Sequence, residues 1–253
     1  MWIEPAAFAD EREDVCMTTP AMMYVHDWRA WQPGRRDTAH SRLSVEEKPA
    51  GAQVPAMLRR RLTSIGRALC DMLAELDAEA DYPLLYASRH GDGERTLAML
   101  EALADEAPLS PARFGLSVHN AIPGVYSIGR GNRRTQQAIA ASGDEFAALL
   151  SEAQGYLHQG EPSVIVAFAE QPIPARFTAH FTTPVAAAAV ALRLSLTPSD
   201  TAWSLHQRAL AHAGTANDAD APQPSDLIDW LCGLRDELPC HRQRLAWRLE
   251  RTG

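Results

Sequence analysis

Apolar and polar positions along the chain follow two periods, and the switches between them mark the elements. Residues 22–31 (MMYVHDWRAW) form a strand-like run that stops at a Pro-Gly turn. Residues 35–53 are polar and loop-like. From Pro55 to about Ala78 the positions Met57, Leu58, Leu62, Ile65, Leu69, Met72, Leu73 and Leu76 keep helical spacing, with Arg59, Arg60, Arg61 and Arg67 mainly opposite. That pattern predicts one helix. A short apolar strand at 83–87 and a Gly-bearing turn (SRHGDG) lead into a helix over 93–106, whose stripe Leu97, Leu100 and Leu103 is read as core. A Pro- and Gly-rich stretch then precedes a short helix, a strand at 135–141 and a helix at 144–158 that ends at Gly160. Residues 163–169 (SVIVAFA) are continuously apolar, which fits a strand buried on both faces. Another strand is expected over 185–196, a low-complexity loop at 213–225, a last helix over 225–237, and then the basic tail HRQRLAWRLER.

Strands and helices alternate through the middle of the chain, so the expected class is α/β, a mixed sheet flanked by helices. The expected organisation is an N-terminal extension at 1–20, one domain over 21–200, and a helical C-terminal appendage at 201–253 that contains the flexible segment 213–225.

Composition narrows the function. A chain of 253 residues, 46% hydrophobic and 22% charged, can build a core without disulfide or metal staples. Its net charge of −8 argues against nucleic acid, which demands a basic face. The longest uncharged apolar stretch, 182–192, is too short for a membrane span, and the acidic N-terminus lacks the cations of a signal peptide, so a cytoplasmic location is expected. Cys16, Cys70, Cys232 and Cys240 show no CxxC spacing and read as free thiols, with Cys70 and Cys232 as buried structural ones. Of 24 basic residues 23 are Arg, and the single Lys48 lies in a polar loop, which excludes a P-loop and a Schiff-base lysine. GxSxG, HExxH and GxGxxG are missing, and the nine His residues show no metal-ligand spacing.

One stretch is more specific. Residues 110–160 carry Ser110, Pro111, Phe114, Asn120, Gly124, Gly131 and Gly160 in an ungapped order that resembles the β-ketoacyl synthase family around its nucleophile, with SVIVAFAE (163–170) as the next buried strand, ending in Glu170. The likeness is good over about 80–170 and looser over 22–79. It implies half of a thiolase-like (ketosynthase) fold. In the family the nucleophilic Cys stands at a strand-to-helix elbow; here that position falls on Gly143, and Asp144 and Glu145 occupy the helix's first turn, where they would repel a thiolate. Family members also draw two His from a C-terminal half. His180, His206 and His212 lie in no matching motif, so the resemblance implies that this chain has no catalytic residues of its own.

The blocks DWRAW, PAMLRRRLTSIGRA, LLYASRHGD and LSPARFGLSVHNAIPGVYSI are similar to short chain length factors that accompany a ketosynthase in aryl polyene and xanthomonadin-type pigment pathways. This implies as partners a catalytic β-ketoacyl synthase subunit and an acyl carrier protein, with no cofactor and no metal. Ser88, His90, Ser117, Val118, His119, Asn120, Ala121, Gln137 and Ile139 would then face the acyl tunnel or the partner. Arg130, Arg133 and Arg134 would contact the carrier protein, unless they and Arg59–Arg61 are simply a solvated face. Asn120 has a second reading, satisfying backbone groups in a buried turn. Gly124 and Gly131 read as backbone-geometry positions. The basic tail either docks a partner or covers the sheet. Two other functions remain open: a scaffold of the same fold that binds carrier protein without lining the tunnel, and a free-standing enzyme using His119 or Glu170.

Overall fold

The structure, a computed structural model, describes residues 22–141, 143–181, 184–210, 221–240 and 244–251. Its elements in chain order are β1 (Met23–Trp31), β2 (Leu43–Ser44), α1 (Ala56–Arg59), α2 (Ser64–Leu76), β3 (Leu84–Ala87), α3 (Gly93–Ala104), α4 (Pro111–Phe114), α5 (Ala121–Arg130), β4 (Gln136–Ile139), α6 (Glu145–His158), β5 (Val164–Glu170), β6 (Ala188–Ser195), β7 (Trp203–Ala209), α7 (Pro224–Leu231), β8 (Glu237–Cys240) and β9 (Leu245–Arg251). The strands form one mixed sheet in the order β4-β3-β5-β6-β1-β7-β9-β8, with β2 added beside β1. Strands β4, β3 and β5 run parallel, whereas β5–β6, β6–β1, β1–β7, β7–β9 and β9–β8 are antiparallel.

The strand period of two sorts side chains into two cores. Val164, Val166 and Phe168 of β5 lie on one face with Val190 and Leu192 of β6, under α6 and α7. Ile165, Ala167 and Ala169 lie on the other with Ala189 and Ala191, under α2. Those small side chains on the second face leave room for α2 to bury Ile65, Leu69, Met72, Leu73 and Leu76. Each such side chain contributes about 1.5–3 kcal/mol when fully removed from water. The expected strand at 163–169 is therefore buried on both faces along its whole length. In β1 the alternation slips once, at a register shift between Val25 and Asp27, which leaves both His26 and Asp27 short of the core.

Three expectations need correction. The single helix over 55–78 is two, because the chain turns at Arg60–Leu62 and Thr63 takes an extended conformation before starting α2. The α3 stripe is not core: Leu100 is 55% exposed and Leu103 is 59% exposed. Residues 201–253 are not a helical appendage, since β7, β8 and β9 extend the sheet and only α7 is helical. The physical reason is that Leu245, Trp247 and Leu249 alternate, a period of two that places all three against the α6 face. The basic tail thus completes the sheet. Residues 1–20, Cys16, His212 and the segment 213–220 lie outside the described residues, while Pro224 and Ser225 already open α7.

Candidate functional site

The parallel strands bring the elbow between β4 and α6 beside the end of β5. Gly143 stands there at φ +108°, a conformation that L side chains rarely adopt. Its amide donates to both carboxylate oxygens of Glu145 at 3.0 Å each. Glu145 is 2% exposed and opens the 14-residue helix α6, so a carboxylate already fills the place that a helix N-terminus offers an anion. Asp144, the residue before it, makes no side-chain cap bond. The Cys240 thiol donates to the Asp144 carboxylate at 3.9 Å. Sequence separation hid that approach, yet Cys240 is fully buried, and a carboxylate neighbour disfavours a thiolate. Cys70 is equally inert, its thiol pushed up to about 12 by burial and then by Asp71. Cys232 is only half-buried, short of the fully buried thiol expected.

Glu170, at the end of β5, faces the same elbow from the sheet. It accepts the Arg89 amide and is 2% exposed. Burial pushes its carboxyl up to about 8; the Arg89 amide pulls it down and Glu145 raises it further.

Two loops meet in front of the β3 and β5 ends. Ser88 Oγ accepts the Gly91 amide at 2.9 Å, and Gln171 Nε2 donates to the Gly91 carbonyl at 3.4 Å. Gly91 has φ +60°, and a Cβ there would meet the His119 ring at 3.5 Å. Ser88, Val118, His119 and Ala121 share a cavity of about 40 Å³ with Tyr86 and Gln171. It has room for a few waters at most. Tyr86 and Gln171 escaped sequence reasoning because each is a single polar group beside a long apolar run. His90 is not part of this group. It lines a separate cavity of about 240 Å³ with Leu97, Leu100, Ile173, Phe177 and Phe181, its ring edge-on to Phe181.

The remaining expected residues disperse. Ser117 Oγ donates to the Phe114 carbonyl in a local turn. Asn120 precedes α5 exposed and without a side-chain cap bond, so it satisfies no buried turn. Gly131 closes α5 in a left-handed conformation as expected, but Gly124 sits inside α5 with open space at its Cβ position. Of the three arginines expected to meet a carrier protein, Arg130 holds the Ala78 carbonyl and Arg134 pairs with Glu161, while Arg133 is exposed. Strand β4 lies at the end of the sheet, but Gln137 and Ile139 do not present its free edge. The carbonyls of Thr135 and Ile139 accept the Leu84 and Ser88 amides, so the odd-numbered residues face β3 and the amides of Gln136 and Ala138 face outward. Among the described residues no group of three or more His, Cys, Asp or Glu could hold a metal ion. No helix among them is long and apolar enough to cross a membrane.

The family model described as the β-ketoacyl synthase N-terminal domain matches residues 28–250. The chain belongs to the β-ketoacyl synthase family. This ketosynthase-family chain is similar to a solved complex of the ketosynthase ApeO with its chain length factor ApeC from Xenorhabdus doucetiae: 24% identity, TM-score 0.69, covering 90% of this chain and 99% of that one. That likeness bears out the thiolase-like fold, a mixed sheet flanked by helices. The ishigamide ketosynthase/chain length factor matches at 15% identity and TM-score 0.49 over 76% of this chain and 68% of its own. A 3-oxoacyl-[acyl-carrier-protein] synthase III from Aquifex aeolicus VF5 matches at 12% identity and TM-score 0.38, over 74% and 58% respectively. No curated protein matches.

Proposed function

We propose that this chain is a chain length factor: a ketosynthase-fold subunit that performs no condensation, pairs with a catalytic β-ketoacyl synthase, and forms a wall of its acyl tunnel in polyene-type polyketide synthesis. The observation that carries this reading is the elbow. Where the resemblance puts the family's nucleophile stands Gly143, its amide engaged by the buried Glu145 carboxylate, with the buried Glu170 close enough to feel that charge. A fold kept intact around a position with no thiol fits a role in shaping rather than in bond making. Support for pairing comes from the free edge of β4 and from the exposed Leu100, Leu103, Phe114 and Val118 on the loops and helices in front of the sheet. The solved relative described as a ketosynthase with its chain length factor has such a pair.

The wall would be the cavity shared by Ser88, Val118, His119 and Ala121, which a partner must extend, since about 40 Å³ holds no polyene. Reconstitution with a polyene-type ketosynthase and malonyl-loaded carrier protein tests this. The chain alone should give no condensation product, and the pair should elongate. Ala121→Trp should shorten the product, because overfilling a packed site costs about 1–3 kcal/mol, roughly 5- to 150-fold in occupancy. Ser88→Phe is a poorer probe, since it also removes the acceptor of the Gly91 amide. His90→Ala, at the separate cavity, should leave length unchanged. A uniform rate loss at unchanged length from Ala121→Trp would instead favour a carrier-protein scaffold, and condensation by the chain alone would refute the reading.

A further inference from the structure

The chain between β3 and α3 turns beside the end of β5, and each backbone amide from Ser88 to Gly91 has a partner there. The Ser88 amide donates to the Ile139 carbonyl at 3.2 Å. The Gly91 amide donates to Ser88 Oγ at 2.9 Å, and Asp92 then caps α3 by accepting the Arg95 amide at 3.0 Å. The two amides between them, of Arg89 and His90, are answered from 80 or so positions along the chain, both by the carboxyl of Glu170. The next residue, Gln171, takes the same turn from another side, donating Nε2 to the Gly91 carbonyl at 3.4 Å. Glu170 stands on the side of the elbow, where it feels the Glu145 charge, and Gln171 lines the small cavity. Two consecutive side chains at the end of β5 therefore grip one turn of backbone between them. That turn is what His119 rests on: a Cβ at Gly91 would meet its ring at 3.5 Å, and its Nε2 lies 3.5 Å from the Arg89 carbonyl.

Resting on the chain length factor reading above, we propose that Glu170 is a positioning residue: it fixes the turn 88–91, and through it His119, so that the tunnel wall stops the growing chain at one length. A buried amide without an acceptor is costly, so a chain lacking the Glu170 carboxyl would let the turn shift until Arg89 and His90 found other partners. A wall with several arrangements stops chains at several depths, and the product spreads over neighbouring lengths. Glu170 thus governs how sharply length is set, whereas Ala121 governs where.

The full chain, paired with a polyene-type ketosynthase and supplied with malonyl-loaded carrier protein, tests this through the mass distribution of its products at equal amounts of pair. Glu170→Met fills a similar volume without an acceptor. It should lower the ratio of the main product to its neighbours about two- to tenfold, the factor one net hydrogen bond is worth. Glu170→Gln keeps an acceptor for the Arg89 amide and should preserve the sharp distribution. Gln171→Met removes the grip on the Gly91 carbonyl and should broaden the distribution in the same direction, which decides the matter if Glu170→Met does not pair. A sharp distribution from Glu170→Met beside a shortened product from Ala121→Trp would overturn this inference and spare the wall. Equal broadening in Glu170→Gln and Glu170→Met would also overturn it, since the acceptor would then be irrelevant. Unchanged products from all four variants would remove the wall itself.

Discussion

Glu170 shows how much one side chain's surroundings can change its chemistry. Its carboxyl ends an apolar strand, and burial pushes it from an ordinary 4.5 up to about 8. The unfolded chain loses this proton near pH 4.5, while the folded chain keeps it until about pH 8. Between those values the folded state binds more protons than the unfolded one, so stability falls as pH rises, by at most about 1.4 kcal/mol per unit. The contribution is complete below the lower value and gone above the higher one. Glu170→Gln keeps an acceptor for the Arg89 amide but carries no charge, and should flatten the slope and raise stability at pH 8. Denaturant unfolding between pH 5 and 9 measures this; parallel slopes in the two proteins would contradict it.

At the scale of elements, β4 separates two kinds of backbone group. Proline at Gln136 or Ala138 removes an amide that faces outward, so the chain should fold normally but lose its ketosynthase partner if pairing runs through this edge. Proline at Gln137 or Ile139 removes an amide facing β3 and should destabilise the chain itself by about 3 kcal/mol. Thermal melts and co-purification distinguish the two classes, and full co-purification of both outward variants would exclude strand pairing as the interface. The same elements show what was legible beforehand. The two-sided burial of β5 was plain from SVIVAFA, and the turn at Gly143 between a strand and a helix followed from the family-like spacing. Hidden were facts that depend on distant neighbours: which β4 amides point outward, the exposure of Leu100 and Leu103, and the effect of the Glu145 charge on Glu170. Periodicity identifies a stripe but cannot say whether anything covers it.

At the scale of the whole molecule, the C-terminal strands are part of the core. Trp247 of β9 is 1% exposed and meets Phe146 of α6 edge-on at 5.3 Å, and Trp230 of α7 meets the same ring edge-on at 6.2 Å. Trp247→Ala should cost about 3–5 kcal/mol and lower the melting temperature of the entire chain in one transition. A separate early transition confined to residues 201–253 would show that they fold apart. Trp247→Phe should cost less, because the indole nitrogen is buried with no acceptor among the described residues.

The two ends of the sheet are unlike. One ends in β4, whose outer amides are open; the other ends in β8, four residues long with Pro239 within it. A filament grown by strand addition needs a receptive edge at both ends of every unit, as head-to-tail growth requires. Among the described residues this chain offers one. Association of identical chains through the β4 edge alone should therefore stop at two chains per continuous sheet, and sizing across a range of concentrations checks it.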